Sequence, residues 1–124
     1  MKSGFIIILT AFAPGLCAQA QKQQPAPAQE TATVIFARAL DEQRKGDFAA
    51  AKNDYDKIIV LEPTNATAFG NRGNAKLASG DFDGAMSDLN RAIQLQPISA
   101  PCYYNRANAW ETRGDLDAAL LDYN

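Results

Sequence analysis

From Ala32 onward, apolar and small residues recur at helical spacing, and the whole pattern then repeats at a fixed interval of thirty-four residues. Ile35, Phe69 and Tyr103 hold one place in the repeat, and the small Ala39, Gly73 and Ala107 follow four residues later. Twelve residues beyond these stand Ala51, Ala85 and Ala119, and four more bring Tyr55, Leu89 and Tyr123. Between the two groups falls a Gly-Asp pair: Gly46-Asp47, Gly80-Asp81 and Gly114-Asp115. Glycine can take the left-handed conformation that ends a helix, and the aspartate after it can cap the next one. Pro63 and Pro97, one interval apart, lack the amide hydrogen needed inside a helix and mark where each second helix stops. The spacing therefore predicts three helix-turn-helix blocks, 32–65, 66–99 and an incomplete 100–124. A unit of this length cannot bury its apolar face alone, so neighbouring units must stack.

These positions, together with the shared Asn-Arg-Gly/Ala-Asn-Ala of Asn71 to Ala75 and Asn105 to Ala109, resemble the tetratricopeptide repeat (TPR) family over essentially all of 32–124. The resemblance implies an all-α fold, a helix-turn-helix TPR solenoid of about two and a half to three repeats. It also implies that the first helix of each repeat lines a concave, peptide-binding face. Carrying the family's groove positions onto this chain selects Phe36, Leu40 and Gln43 in the first repeat. Gly70, Asn71 and Asn74 follow in the second, and Tyr104, Asn105 and Asn108 in the third. Amides both donate to and accept from an extended backbone, and Phe36, Leu40 and Tyr104 offer apolar anchorage. The partner implied is a protein or peptide, and the role an adaptor. The clamp of lysine, arginine and asparagine by which chaperone-binding members of the family grip a terminal carboxylate is missing. Its places carry Phe36, Leu40, Pro101 and Asn105, and only Asn71 matches.

One place departs from the family. Where leucine is usual, this chain has Arg38, Arg72 and Arg106, and sixteen residues after each comes Asp54, Asp88 or Asp122. A buried charge is costly unless paired and hydrogen-bonded, so arginine and aspartate are expected to recur together as structural ion pairs, within a repeat or with a neighbour. Threefold recurrence favours scaffolding over a binding or catalytic pair, because repeat scaffolding is always multiplied and sites seldom are.

Ahead of the repeats, Lys2, the apolar run Phe5 to Phe12 and Ala18-Gln19-Ala20 have the layout of a secretory signal, residues 1–20, cleaved near Ala20. The expected location is secreted or periplasmic. The run is far shorter than the ~20 residues that span a bilayer, so no retained membrane span is expected. Leu16 stands where a lipoprotein signal wants a small residue before cysteine, so Cys17 is expected to leave with the signal. Residues 21–31, with alternating prolines and no large apolar side chain, form a linker expected to be disordered.

Composition narrows the chemistry further. The net charge of -2 includes Lys2, whose removal makes it -3, and no basic run points to nucleic acid. With no histidine, and Cys102 the only cysteine left, His-based triads, Cys/His pairs and the usual metal sites are excluded by inventory, and no cofactor is expected. No enzyme activity is expected. Asn65-Ala66-Thr67 fits a glycosylation sequon, and Cys102 is expected as a small packed residue rather than a reactive one. The sequence stops inside the third repeat's second helix, as in a fragment of a longer array. Leu116, Leu120 and Tyr123 then lie on a helix without a neighbour beyond it. The alternative to the adaptor is therefore a structural assembly module of a cell-envelope complex that self-associates or docks through that C-terminal helix.

Overall fold

In the computed structural model, residues 28–124 are described. The expected signal, residues 1–20, and most of the expected linker lie outside them. Six helices follow in three hairpins: α1 (Ala32–Arg44) with α2 (Phe48–Leu61), α3 (Ala66–Ala78) with α4 (Phe82–Leu95), and α5 (Ala100–Arg113) with α6 (Leu116–Tyr123). No strand occurs among the described residues, and no helix there is long and apolar enough to cross a membrane.

The turns inside the hairpins are built alike. Gly46, Gly80 and Gly114 adopt φ of 82°, 83° and 87°, the left-handed region open to glycine. The Gly46 amide donates to the Gln43 carbonyl at 3.1 Å and the Asp47 amide to that of Glu42 at 2.9 Å. The pairs Gly80–Leu77 and Asp81–Lys76, and Gly114–Glu111 and Asp115–Trp110, repeat this arrangement. It satisfies carbonyls at the end of the first helix that would otherwise be orphaned. The same aspartates then accept from Ala50, Gly84 and Ala118 amides at 2.9–3.1 Å, which caps the second helix. One residue therefore ends one helix and starts the next.

Between hairpins, proline sets the break. Glu62 and Gln96, each just before a proline, leave helical geometry at φ -134° and ψ 80°, as a following proline ring demands. Asn65 then caps α3 by accepting from the Ala68 amide, while its own amide donates to Glu62 at 2.7 Å. The sequon asparagine is thus already engaged as a helix cap. Ser99, at the corresponding place before α5, makes no side-chain cap bond.

Small residues let the helices close. A Cβ added at Gly73 would meet Leu89 Cγ at 2.9 Å and the Ala85 carbonyl oxygen at 3.2 Å, so α3 and α4 touch nearly backbone to side-chain stem. Ala39, Ala51, Ala85 and Ala107 are fully buried at the other contacts. The first core gathers Ile35, Ala39, Ala51, Tyr55 and Ile58, with Ala68 reaching in from the next repeat. A second joins Met86 and Leu89 to Ala109 of the third. Each helix packs on its chain neighbours, and α3 also meets α5, so the stack is one-dimensional with cores that cross every repeat boundary. Cys102 is buried, as expected of a packed residue.

Candidate functional site

The arginines form the most regular polar feature. Arg72 grips Asp88 with both edges of its fork, Nε to Oδ2 at 2.8 Å and Nη2 to Oδ1 at 2.7 Å. Arg106 holds Asp122 in the same way at 2.7 and 2.5 Å, and Arg38 pairs with both oxygens of Asp54. This is the two-bond geometry that guanidinium and carboxylate favour. Asp54, Asp88 and Asp122 side chains are 4–7% exposed, while the arginines are partly open. Lys57 adds to Asp54 at 2.8 Å and Lys76 to Asp88 at 2.9 Å. The expected ion pairs are therefore present, each inside its own repeat.

The third nitrogen of each arginine makes a contact that the forward spacing did not disclose. Arg72 Nη1 donates to Asp56 of the preceding repeat at 2.6 Å, and Arg106 Nη1 to Asn90 at 3.0 Å. The signal was available, since Asp56 and Asn90 lie sixteen residues before their arginines, as Asp88 and Asp122 lie sixteen after. Each arginine thus ties its own hairpin together and staples it to the one before. Arg38 has no earlier repeat among the described residues, and Glu30 takes that place at 2.6 Å. Glu30 and Thr31, at the end of the expected linker, are both engaged, because Thr31 caps α1. Arg72 and Arg106 also sit over the Phe69 and Tyr103 rings, at 5.4 and 5.6 Å to the centroids. The hydrogen bond from Arg38, opposed by desolvation and helped by Lys57, holds the Asp54 carboxyl below its ordinary range. Asp88 in turn holds the Arg72 guanidinium well above its own. Every arginine–aspartate group is consumed in scaffolding.

The groove residues fall into three sets. Leu40 and Gln43 share an open depression of about 670 Å³ with Ala37 and Arg44 on α1. Phe36 is drawn away from them. It packs edge-on to Tyr55 at 5.9 Å and borders a second depression near the inter-repeat turn, beside Ala32, Glu62 and Asn65. On α3 and α5, Gly70 is buried with Asn105 Nδ2 3.8 Å from where its Cβ would be, so these two lie together. Tyr104 and Asn108 meet through Tyr123, whose hydroxyl donates to Asn108 Oδ1 at 2.8 Å and whose ring is 5.7 Å from that of Tyr104.

Two of the groove amides are therefore occupied from behind. Tyr123 holds Asn108, and Tyr55, whose hydroxyl burial pushes up to about 12, donates to Gln43 Oε1 at 3.1 Å. In the second repeat the tyrosine place is Leu89, which has no hydroxyl to offer. No described side chain hydrogen-bonds the amides of Asn71, Asn74 and Asn105, and all three are partly exposed. No group of acidic residues or cysteine suited to a metal occurs among the described residues.

Three stacked hairpins joined by crossing cores, with amide and aromatic side chains on the first helices, define a helical repeat protein. The family model for the tetratricopeptide repeat matches residues 36–100 and again 71–124, and the chain belongs to that family. Among solved structures, it is similar to the first TPR of Spaghetti (RPAP3) bound to the HSP90 peptide SRMEEVD. That pair has TM-score 0.69 and 27% identity, over 74% of this chain and 73% of that one. The second TPR of the same protein, bound to the same peptide, matches with TM-score 0.68 and 26% identity, over 86% and 92%. The type III secretion translocator chaperone SycD of Yersinia enterocolitica shares the fold, with TM-score 0.71 at 17% identity over 77% and 72%. No curated protein matches the sequence.

Proposed function

We propose that this chain is an exported adaptor that binds an extended segment of another protein along its first helices. One observation carries the reading: Asn71, Asn74 and Asn105, on the first helices of adjoining repeats, present amides that no described side chain uses. An amide can serve the N–H and the C=O of a passing peptide backbone together. Leu40 and Tyr104, both exposed, flank this stretch and supply apolar contact. The two Spaghetti domains carry a bound peptide, which supports peptide recognition as the class of activity. Their ligand need not be shared, because four of the five clamp places here hold Phe36, Leu40, Pro101 and Asn105. A groove without lysine or arginine at those places suits an internal segment better than a terminal carboxylate. Export rests on the layout of residues 1–20, and the periplasm is the compartment we assign.

Selection of a random peptide library on the immobilised chain tests this, with an Asn71→Ala/Asn74→Ala variant as counter-screen. Peptides should be enriched on the parent and lost on the variant, whose melting temperature should match the parent's. No enrichment, or enrichment indifferent to the variant, would sink the groove reading. Asn108 is a poorer probe, because its change also removes the partner of the Tyr123 hydroxyl.

A further inference from the structure

The boundary between the second and third repeats has a feature that the first boundary lacks. A depression of about 340 Å³ opens where the end of α5 meets the turn of the preceding hairpin. Leu77, Gly80, Phe82 and Asp83 form one wall, and Thr112 and Arg113 the other. Leu77 and Phe82 are half-buried and make part of the lining apolar. Trp110 supports the Phe82 ring at 5.9 Å, and the Arg113 guanidinium lies over the same ring, 4.7 Å from its centroid. Stacking uses the face of the guanidinium and leaves its N–H edge to donate. No described carboxylate lies within salt-bridge reach of Arg113, whereas Arg38, Arg44, Arg72 and Arg106 each hold one.

Scaffolding in this chain recurs at each boundary, and this arrangement does not. One interval earlier, Gln43 and Ser79 stand where Leu77 and Arg113 stand, so both the apolar wall and the cation are missing there. The depression also continues the row of open amides. Leu77 follows Asn74 by three residues and Thr112 follows Asn108 by four, the spacing that puts side chains on one helix face. The Thr112 hydroxyl donates to the Asn108 carbonyl at 2.8 Å, which ties the two together.

We propose, building on the groove as the peptide site, that the bound segment seats a bulky apolar side chain between Leu77 and Phe82 and gives an adjacent aspartate or glutamate to Arg113. The partner is thus a protein segment with an apolar–acidic pair. Its acid is a side chain held in the last turn of α5, whereas the clamp places at Phe36, Leu40, Asn71, Pro101 and Asn105 lie nearer the starts of their helices. Asp83 sets the side on which that acid enters. It stands in the first turn of α4, where a negative charge suits the positive end of the helix dipole, and it repels a carboxylate from its own wall.

The test selects a random peptide library on the full chain, then resynthesises the best peptide with its acidic residue changed to the amide. Both peptides are titrated by fluorescence anisotropy against the parent, Arg113→Gln and Asp83→Asn. Enriched peptides should carry the apolar–acidic pair. The amide change should weaken binding to the parent roughly tenfold, as loss of a charge-assisted hydrogen bond does. Arg113→Gln should weaken the acidic peptide equally and leave the amide peptide unaffected, while Asp83→Asn should tighten the acidic peptide alone. Both variants should melt close to the parent. Peptides enriched without the acid, or an acid effect that survives Arg113→Gln, would overturn the proposal and leave the groove standing. So would an Arg113→Gln change that weakens both peptides alike, which is what a purely structural arginine gives. Failure of the groove itself looks different: no peptide is enriched, or binding is indifferent to Asn71→Ala/Asn74→Ala, and both readings then fall.

Discussion

Asp88 shows what is at stake in one side chain. Its carboxylate is nearly buried, and Arg72 supplies two of its hydrogen bonds while also reaching Asp56 across the boundary. Removing one partner of a buried pair leaves an uncompensated charge, whereas removing both leaves only a packing problem. Arg72→Ala is therefore expected to cost about 3 kcal/mol in urea melts, moderated because Lys76 stays within 2.9 Å. Arg72→Met with Asp88→Leu should cost much less. Equal, mild effects of the single and double changes would show that the pair is a solvated ornament. Acidity probes the same chemistry at Asp54, whose folded pKa lies below its unfolded one. Such a group contributes stability that is complete above its unfolded value of about 3.9 and is lost as pH falls through the depressed folded value. Asp54→Asn should accordingly lower the melting temperature at pH 7 and make its decline below about pH 4 shallower.

Among the elements, two glycines separate two kinds of constraint. At Gly80 the obstacle is backbone conformation, since a Cβ there would meet nothing within 4 Å. Gly80→Ala should cost about 1 kcal/mol, the strain of an alanine in left-handed geometry. At Gly73 the backbone is ordinary and the obstacle is Leu89, so Gly73→Ala should cost about 1–3 kcal/mol through overpacking. Pairing Gly73→Ala with Leu89→Ala should recover part of that loss, whereas the Gly80 cost should be indifferent to Leu89; chemical denaturation of the four variants decides it. The hairpins were legible in the sequence because these two demands fall at fixed places, with Gly-Asp at the turn and small residues where helices cross. The capping aspartates and the proline breaks were legible for the same reason. The backward reach of each arginine was less so, because its acceptor varies among Glu30, Asp56 and Asn90 and carries no family signature. The groove was legible only as a set of positions. Which amides stay open depends on whether a tyrosine or a leucine stands behind them, a contact between two helices that no single-helix pattern reveals.

For the whole molecule, stability is a sum over neighbours, and it should be uneven. Tyr55 and Ile58 lie in a core closed from both sides, by α1 and by Ala68 of α3. Hydrogen exchange is expected to be slowest in α2 and α3, which share that core, and faster in the turns around Pro63 and Pro97; protection as strong in those turns as in the two helices would contradict this. The arginine staple also has a consequence for how such a chain changes length. The second repeat brings both halves of the contact, Arg72 reaching backward to Asp56 and, on its second helix, Asn90 as acceptor for Arg106. A tandem duplication or loss of the segment 66–99 therefore rejoins compatible surfaces at the scar, with no compensating substitution. Lengthening and shortening by whole units is open to this sequence from the start, while a slip of even one residue between an arginine and its acceptor would break the staple that spans it.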